Sequence, residues 1–115
     1  MEARKRRRMY LEELYQEMRV AQLVASAYEF SEKYLGRSRN YYSVLKARNM
    51  EPSIGAILTL EYELQKQVDV AAAVSTEDGR ARLGCLLMLS HNVASYRNER
   101  CRRKSLNQHQ LMMVA

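Results

Sequence analysis

The sequence predicts an all-α protein, a compact helical bundle of about five helices. Three observations lead there. Only four Gly and one Pro interrupt the 115 residues, so long helices are the economical arrangement. Apolar residues recur at spacings of three and four, and the alternation expected of strands is nearly absent. The apolar content, 47%, suffices to build one small helical core at this length.

Taken in order, residues 1–8 read as a flexible basic arm. From Met9 to about Ala27 the positions Leu11, Leu14, Met18, Ala21, Ala25 and Tyr28 form one apolar stripe, with Glu12, Glu13, Gln16 and Arg19 on the opposite face. A short second helix is expected from about Phe30 to Lys33. Gly36 follows where the chain must leave that helix, because glycine takes the left-handed conformation without a Cβ penalty. Ser38 is the expected N-cap of a third helix, Arg39 to Ala47. Tyr42, Leu45 and Tyr41 make its packed side, which leaves Arg39, Asn40, Ser43, Val44 and Lys46 facing elsewhere. Pro52 belongs in the opening of a fourth helix, with Ser53 or Glu51 as its cap. That helix carries Ile54, Ile57, Leu58, Leu60, Leu64 and Val68 to residue 68 or beyond.

Ser75 to Gly79 is the clearest internal break. Either Ser75 with Asp78, or Thr76 with the acids of the first turn, caps a final helix from about Glu77 to Arg102. Leu83, Leu86, Leu87, Ser90, Val93, Ala94 and Arg97 line one side of it. This helix either covers the core of a monomer or pairs with its copy in a homodimer. The expected organisation is an arm at 1–8, a main helical domain at 9–74, the C-terminal helix at 75–104 and a loosely ordered tail at 105–115.

The net charge of +6 is uneven. Residues 1–8 hold five basic residues and one acid, residues 97–104 the same, so each end carries +4. The body between them has nine basic and eleven acidic residues, a net of −2. Within the body, Lys33 to Met50 contains Lys33, Arg37, Arg39, Lys46 and Arg48 and no acid. Acids sit instead on flanking helices, at Glu12, Glu13, Glu17, Glu61, Glu63 and Asp69. Charged ends can simply keep a small protein in solution, whereas an acid-free basic stretch in the middle suits a polyanionic partner.

Cys85 and Cys101 fall on the same expected helix, about 24 Å apart at roughly 1.5 Å per residue, so they cannot bridge within it. A reduced state and a cytoplasmic location are expected. Cys85 lies in an apolar run and is expected to be a buried, inert thiol. His91 and His109 lack metal-ligand spacing, and no paired carboxylates or Gly-rich phosphate loop occur, so no metal, cofactor, small-molecule ligand or enzymatic activity is expected. No apolar run approaches the roughly twenty residues that span a bilayer.

The stretch from Phe30 to Leu60 resembles the lambda-repressor-like, or XRE-type (Cro-like), helix-turn-helix family. Leu35, Gly36, Ser38, Tyr41, Ser43, Leu45, Pro52, Ser53, Ile54, Ile57 and Leu60 fall in step with its pattern without a gap. The match covers about a third of the chain, or about half if Leu11 to Tyr28 supplies the family's first helix. Three departures are visible. Lys46 and Arg48 stand where the family usually has Glu and then Gly. Phe30 and Ser31 align with its Leu-Ala only if one extra residue is allowed before Leu35. The customary Thr-Gln opening of the first motif helix is absent, leaving Ser26 as a possible cap.

The resemblance implies a sequence-specific, double-stranded DNA-binding transcriptional regulator, with repression expected over activation because no added activation surface is visible. Its register makes Arg39, Asn40, Tyr41, Ser43 and Val44 the candidates for base edges. Arg can bond guanine N7 and O6 together, Asn adenine N6 and N7, and Val can meet a thymine methyl. Arg37, Ser38, Lys46 and Arg48 are cast as phosphate contacts, and Arg4, Lys5, Arg6, Arg7 and Arg8 as an arm for the adjacent minor groove. Two other functions stay open: a helical protein-protein adaptor that keeps the motif as scaffold, and RNA binding through the basic ends.

Overall fold

The computed structural model describes residues 9–114, with side chains as far as residue 106. All its regular elements are helical: α1 (Tyr10–Val20), α2 (Ala27–Glu29) running on as a π-helical segment (Phe30–Tyr34), α3 (Tyr41–Arg48), α4 (Ile54–Ala72) and α5 (Glu77–Val114). No helix among the described residues is long and apolar enough to cross a membrane. Two units are distinguished, one ending at Leu60 and the other beginning at Glu61, so the division falls inside α4 and not at the Ser75 break expected from sequence.

In the first unit, Leu11, Leu14, Tyr15 and Met18 of α1 are buried, with Phe30, Tyr34, Tyr42, Leu45, Ile57 and Leu60. Four aromatic rings hold its centre. Tyr15 lies 5.2 Å from Phe30 and 4.8 Å from Tyr42, and Phe30 meets Tyr42 edge-on at 5.3 Å. Such tilted and edge-on pairs suit the ring quadrupoles. The Tyr34 hydroxyl donates to the carbonyl of Leu23 at 3.1 Å, which satisfies the polar tip of a wholly buried ring.

Three helices of this unit end on a left-handed residue: Gln22 (φ 60°), Gly36 (φ 63°) and Asn49 (φ 51°). After α1 the N–H of Leu23 bonds the carbonyl of Met18 and that of Gln22 bonds Arg19; after α3 Met50 bonds Leu45 and Asn49 bonds Lys46. Both are Schellman closures, which satisfy carbonyls that a helix end leaves open. At Gly36 a side chain is disfavoured twice, by the positive φ and by a Cβ that would lie 3.0 Å from Thr59 Cγ2.

The stop at Gln22 ends α1 at Val20, earlier than its apolar periodicity suggests. The helical phase is therefore reset, and Tyr28, expected on the buried stripe of one long helix, is 53% exposed on α2 instead. Ser26 caps α2 by accepting from Glu29 N–H at 3.2 Å. Because a left-handed L-residue costs roughly 1–2 kcal/mol and Gln22 is exposed, Gln22→Gly is expected to stabilise the protein. The net gain is about 0.5–1 kcal/mol after the extra unfolded-state entropy of glycine. Urea denaturation measures this, and an unchanged or lower midpoint would contradict it.

In the second unit Leu64, Val68 and Ala71 of α4 are buried, as are Leu86, Leu89 and Val93 of α5. The four-residue link between the helices makes them an antiparallel hairpin, tied by a hydrogen-bonded ion pair from Arg97 Nε to Glu61. The hydrogen bond to Glu61, and next its charge, push the Arg97 guanidinium above its ordinary pKa. Thr76 Oγ1 accepts from Gly79 N–H at 3.0 Å, so Thr76 is the side-chain cap of α5. α5 continues to Val114, through the stretch expected to be a loose tail. Cys85 is exposed, as is Cys101, correcting the expectation of a buried thiol. Leu86, Leu89 and Val93 follow the helical period inward, while Cys85, Leu87 and Met88 fall on other faces of the same apolar run.

Candidate nucleic-acid interface

α3 is short, and of its eight residues only Tyr42 and Leu45 are buried. An isolated helix of this length is marginal, so its ends must be held. At its start the cap comes from another helix: wholly buried Ser31 accepts the Tyr42 N–H on its hydroxyl at 3.0 Å. Ser38, the cap expected from sequence, contributes only its backbone carbonyl, to Tyr41 N–H at 3.0 Å. At the other end Lys46 and Arg48 complement the negative pole, and left-handed Asn49 closes the last turn.

The helix begins at Tyr41, not at Arg39. Arg39 therefore lies in the turn just before it, and Asn40 occupies the N-cap position without a side-chain cap bond. Arg39, Asn40, Ser43 and Val44 are all exposed, and Val44 keeps 43% of its surface. The four candidates for base edges thus sit at the leading end and outer side of a helix whose other side is anchored by Tyr42 and Leu45.

Tyr41 differs from them. It is half-buried, and its hydroxyl accepts the Ser53 N–H at 3.0 Å, which makes it a strut between α3 and the cap of α4. Ser53 in turn caps α4 by accepting from Ala56 N–H at 3.1 Å. Arg37 donates to the same Ser53 hydroxyl at 3.0 Å and lies 5.9 Å from the Tyr41 ring centre. Gly55 makes room for it, since a Cβ there would fall 2.9 Å from its terminal nitrogen. Ser38, Lys46 and Arg48 are exposed. Arg39 is held differently, with its guanidinium over the ring of Tyr28 at 5.5 Å. Arg4 to Arg8 lie outside the described residues.

Sequence reasoning missed Ser31, because its partner is eleven residues away and belongs to the next helix. It also missed the π-helical segment. There Leu35 N–H bonds the Phe30 carbonyl and Arg37 N–H bonds Ser31, so the turn holds more residues than an α-helical one.

These features define a small all-helical protein in which one short helix, its outer side exposed, lies within a stretch, Lys33 to Met50, that holds basic residues and no acid. Residues 11–112 match a family described as a family of unknown function (DUF6626), and the chain belongs to that family. No curated protein and no solved structure matches it.

Proposed function

We propose that this protein binds double-stranded DNA sequence-specifically and acts as a transcriptional regulator, with the turn at Arg39 and Asn40 and the outer side of α3 entering the major groove. The observation that carries this reading is the joint exposure of Arg39, Asn40, Ser43 and Val44 on an element whose inner side is fixed by Tyr42 and Leu45. Readers of this kind present the N-terminal residues of one helix to base edges. The acid-free stretch from Lys33 to Met50 supplies the electrostatic footprint.

Two departures from the lambda-repressor-like pattern have a structural counterpart that supports the resemblance. The extra residue before Leu35 coincides with the π-helical segment, which accommodates one residue more than an α-helix. The missing glycine after the reading helix is compensated one position later, where Asn49 takes the left-handed conformation. Association of two copies through α5 belongs to the same proposal, because two-fold DNA sites are read by paired units. Leu87 and Met88, 51% and 76% exposed, offer the apolar surface for it.

Selection of bound duplexes from a random pool tests the function. Enrichment of one sequence, with affinity falling steeply as salt rises, is the expected result. A preference for single-stranded RNA over every duplex would favour the basic ends as the binding elements. Retention of no nucleic acid, with a stoichiometric protein partner, would favour the adaptor.

A further inference from the structure

Arg39 lies outside α3, so the helix does not fix its side chain, and an unrestrained arginine loses much rotamer freedom when it docks on a base. Beneath it is the ring of Tyr28, contributed by α2 and half-exposed. A cation–π contact of this kind holds a guanidinium beside the ring without consuming its N–H donors. Among the described residues Arg39 has no hydrogen-bonding partner, so those donors remain available. Arg37 makes the contrast: it too lies over a tyrosine, but its terminal nitrogen is committed to Ser53. Lys33, over Tyr34 at 5.2 Å, offers a point charge and no planar fork.

We propose that Tyr28 is a positioning residue for base recognition: its ring presents the fork of Arg39 to the N7 and O6 atoms of one guanine in the bound duplex. This rests on the DNA-binding reading above. Tyr28 touches no base itself. It restricts the arginine before binding, so that less freedom is lost on contact.

The test has one arm without DNA and one with it. In the free protein, NMR should find the Arg39 side-chain methylene protons shifted upfield by the Tyr28 ring current, and Tyr28→Leu should return them to ordinary positions. With the duplex enriched by the wild-type chain, Tyr28→Leu should weaken binding about two- to fivefold, the scale of an exposed cation–π contact. Tyr28→Phe, which keeps the ring, should bind like the wild type. In the Arg39→Ala background the Tyr28→Leu loss should vanish, and a random duplex should not register it. Thermal melting should be unchanged. Additive losses, a Tyr28→Phe variant as weak as Tyr28→Leu, or Arg39 protons at ordinary positions in the wild type would overturn the positioning role alone. Failure to enrich any duplex would overturn the DNA-binding reading and this role with it.

Discussion

Arg39→Ala is expected to weaken binding to the selected duplex by about 5- to 150-fold, the equivalent of roughly 1–3 kcal/mol for a well-formed bidentate base contact. Binding to random duplex should hardly change, because the lost contact is to a base edge and not to a phosphate. Lys46→Ala should behave in the opposite way. A lysine that meets only phosphate weakens binding to every duplex alike and lowers the salt slope by about one. Neither residue is buried, so both variants should fold. Equal losses for the two variants on selected and random DNA would contradict this division of labour.

Ser31→Ala is expected to destabilise the protein by about 1–3 kcal/mol, the cost of a lost cap and an unsatisfied buried N–H. Ser31 is fully buried and its hydroxyl is the side-chain acceptor at the start of α3. Alanine fits the space but leaves the Tyr42 amide with neither water nor an acceptor. Against the 5–15 kcal/mol typical of a small domain this is a large fraction. Chemical denaturation measures the total, and hydrogen exchange at Tyr42 N–H should accelerate selectively. A loss under about 0.5 kcal/mol would show that this hydroxyl is not what secures the helix.

The two predictions meet in the same short helix. Its outward residues decide what it could recognise, and a hydroxyl from the preceding helix decides whether it holds its shape. Ser31→Ala should loosen α3 locally, and any loss of affinity that follows would appear with every duplex. Only an outward substitution should separate selected from random DNA.

Local signals in the sequence were reliable where one residue type is nearly alone in suiting a conformation. Gly36 at the left-handed stop, Ser53 and Thr76 as helix caps, and Tyr42 and Leu45 as the packed side of α3 are of this kind. Signals failed where the deciding partner was distant or the conformation unusual for its residue. Nothing about Gln22 announces a left-handed backbone, so the apolar periodicity overstates α1 and places Tyr28 on a buried face that it does not occupy. Asn49 could have been found, since asparagine tolerates that conformation better than most residues. Ser38 is a good cap by type, but the hydroxyl of Ser31 is what reaches the Tyr42 amide. In α5 the apolar run extends around the helix, and composition alone does not separate Leu86 and Leu89 from Cys85 and Met88.

The wide turn at Phe30–Tyr34 also localises what one additional residue does to a helix. A residue added to an ordinary helix would rotate everything after it by about 100° and scramble the packing. Swelling one turn confines that change to a few residues, so Phe30, Tyr34 and Leu35 all remain inside. Glu32 and Lys33 face solvent there, so the added width of the turn is accommodated outside the interior.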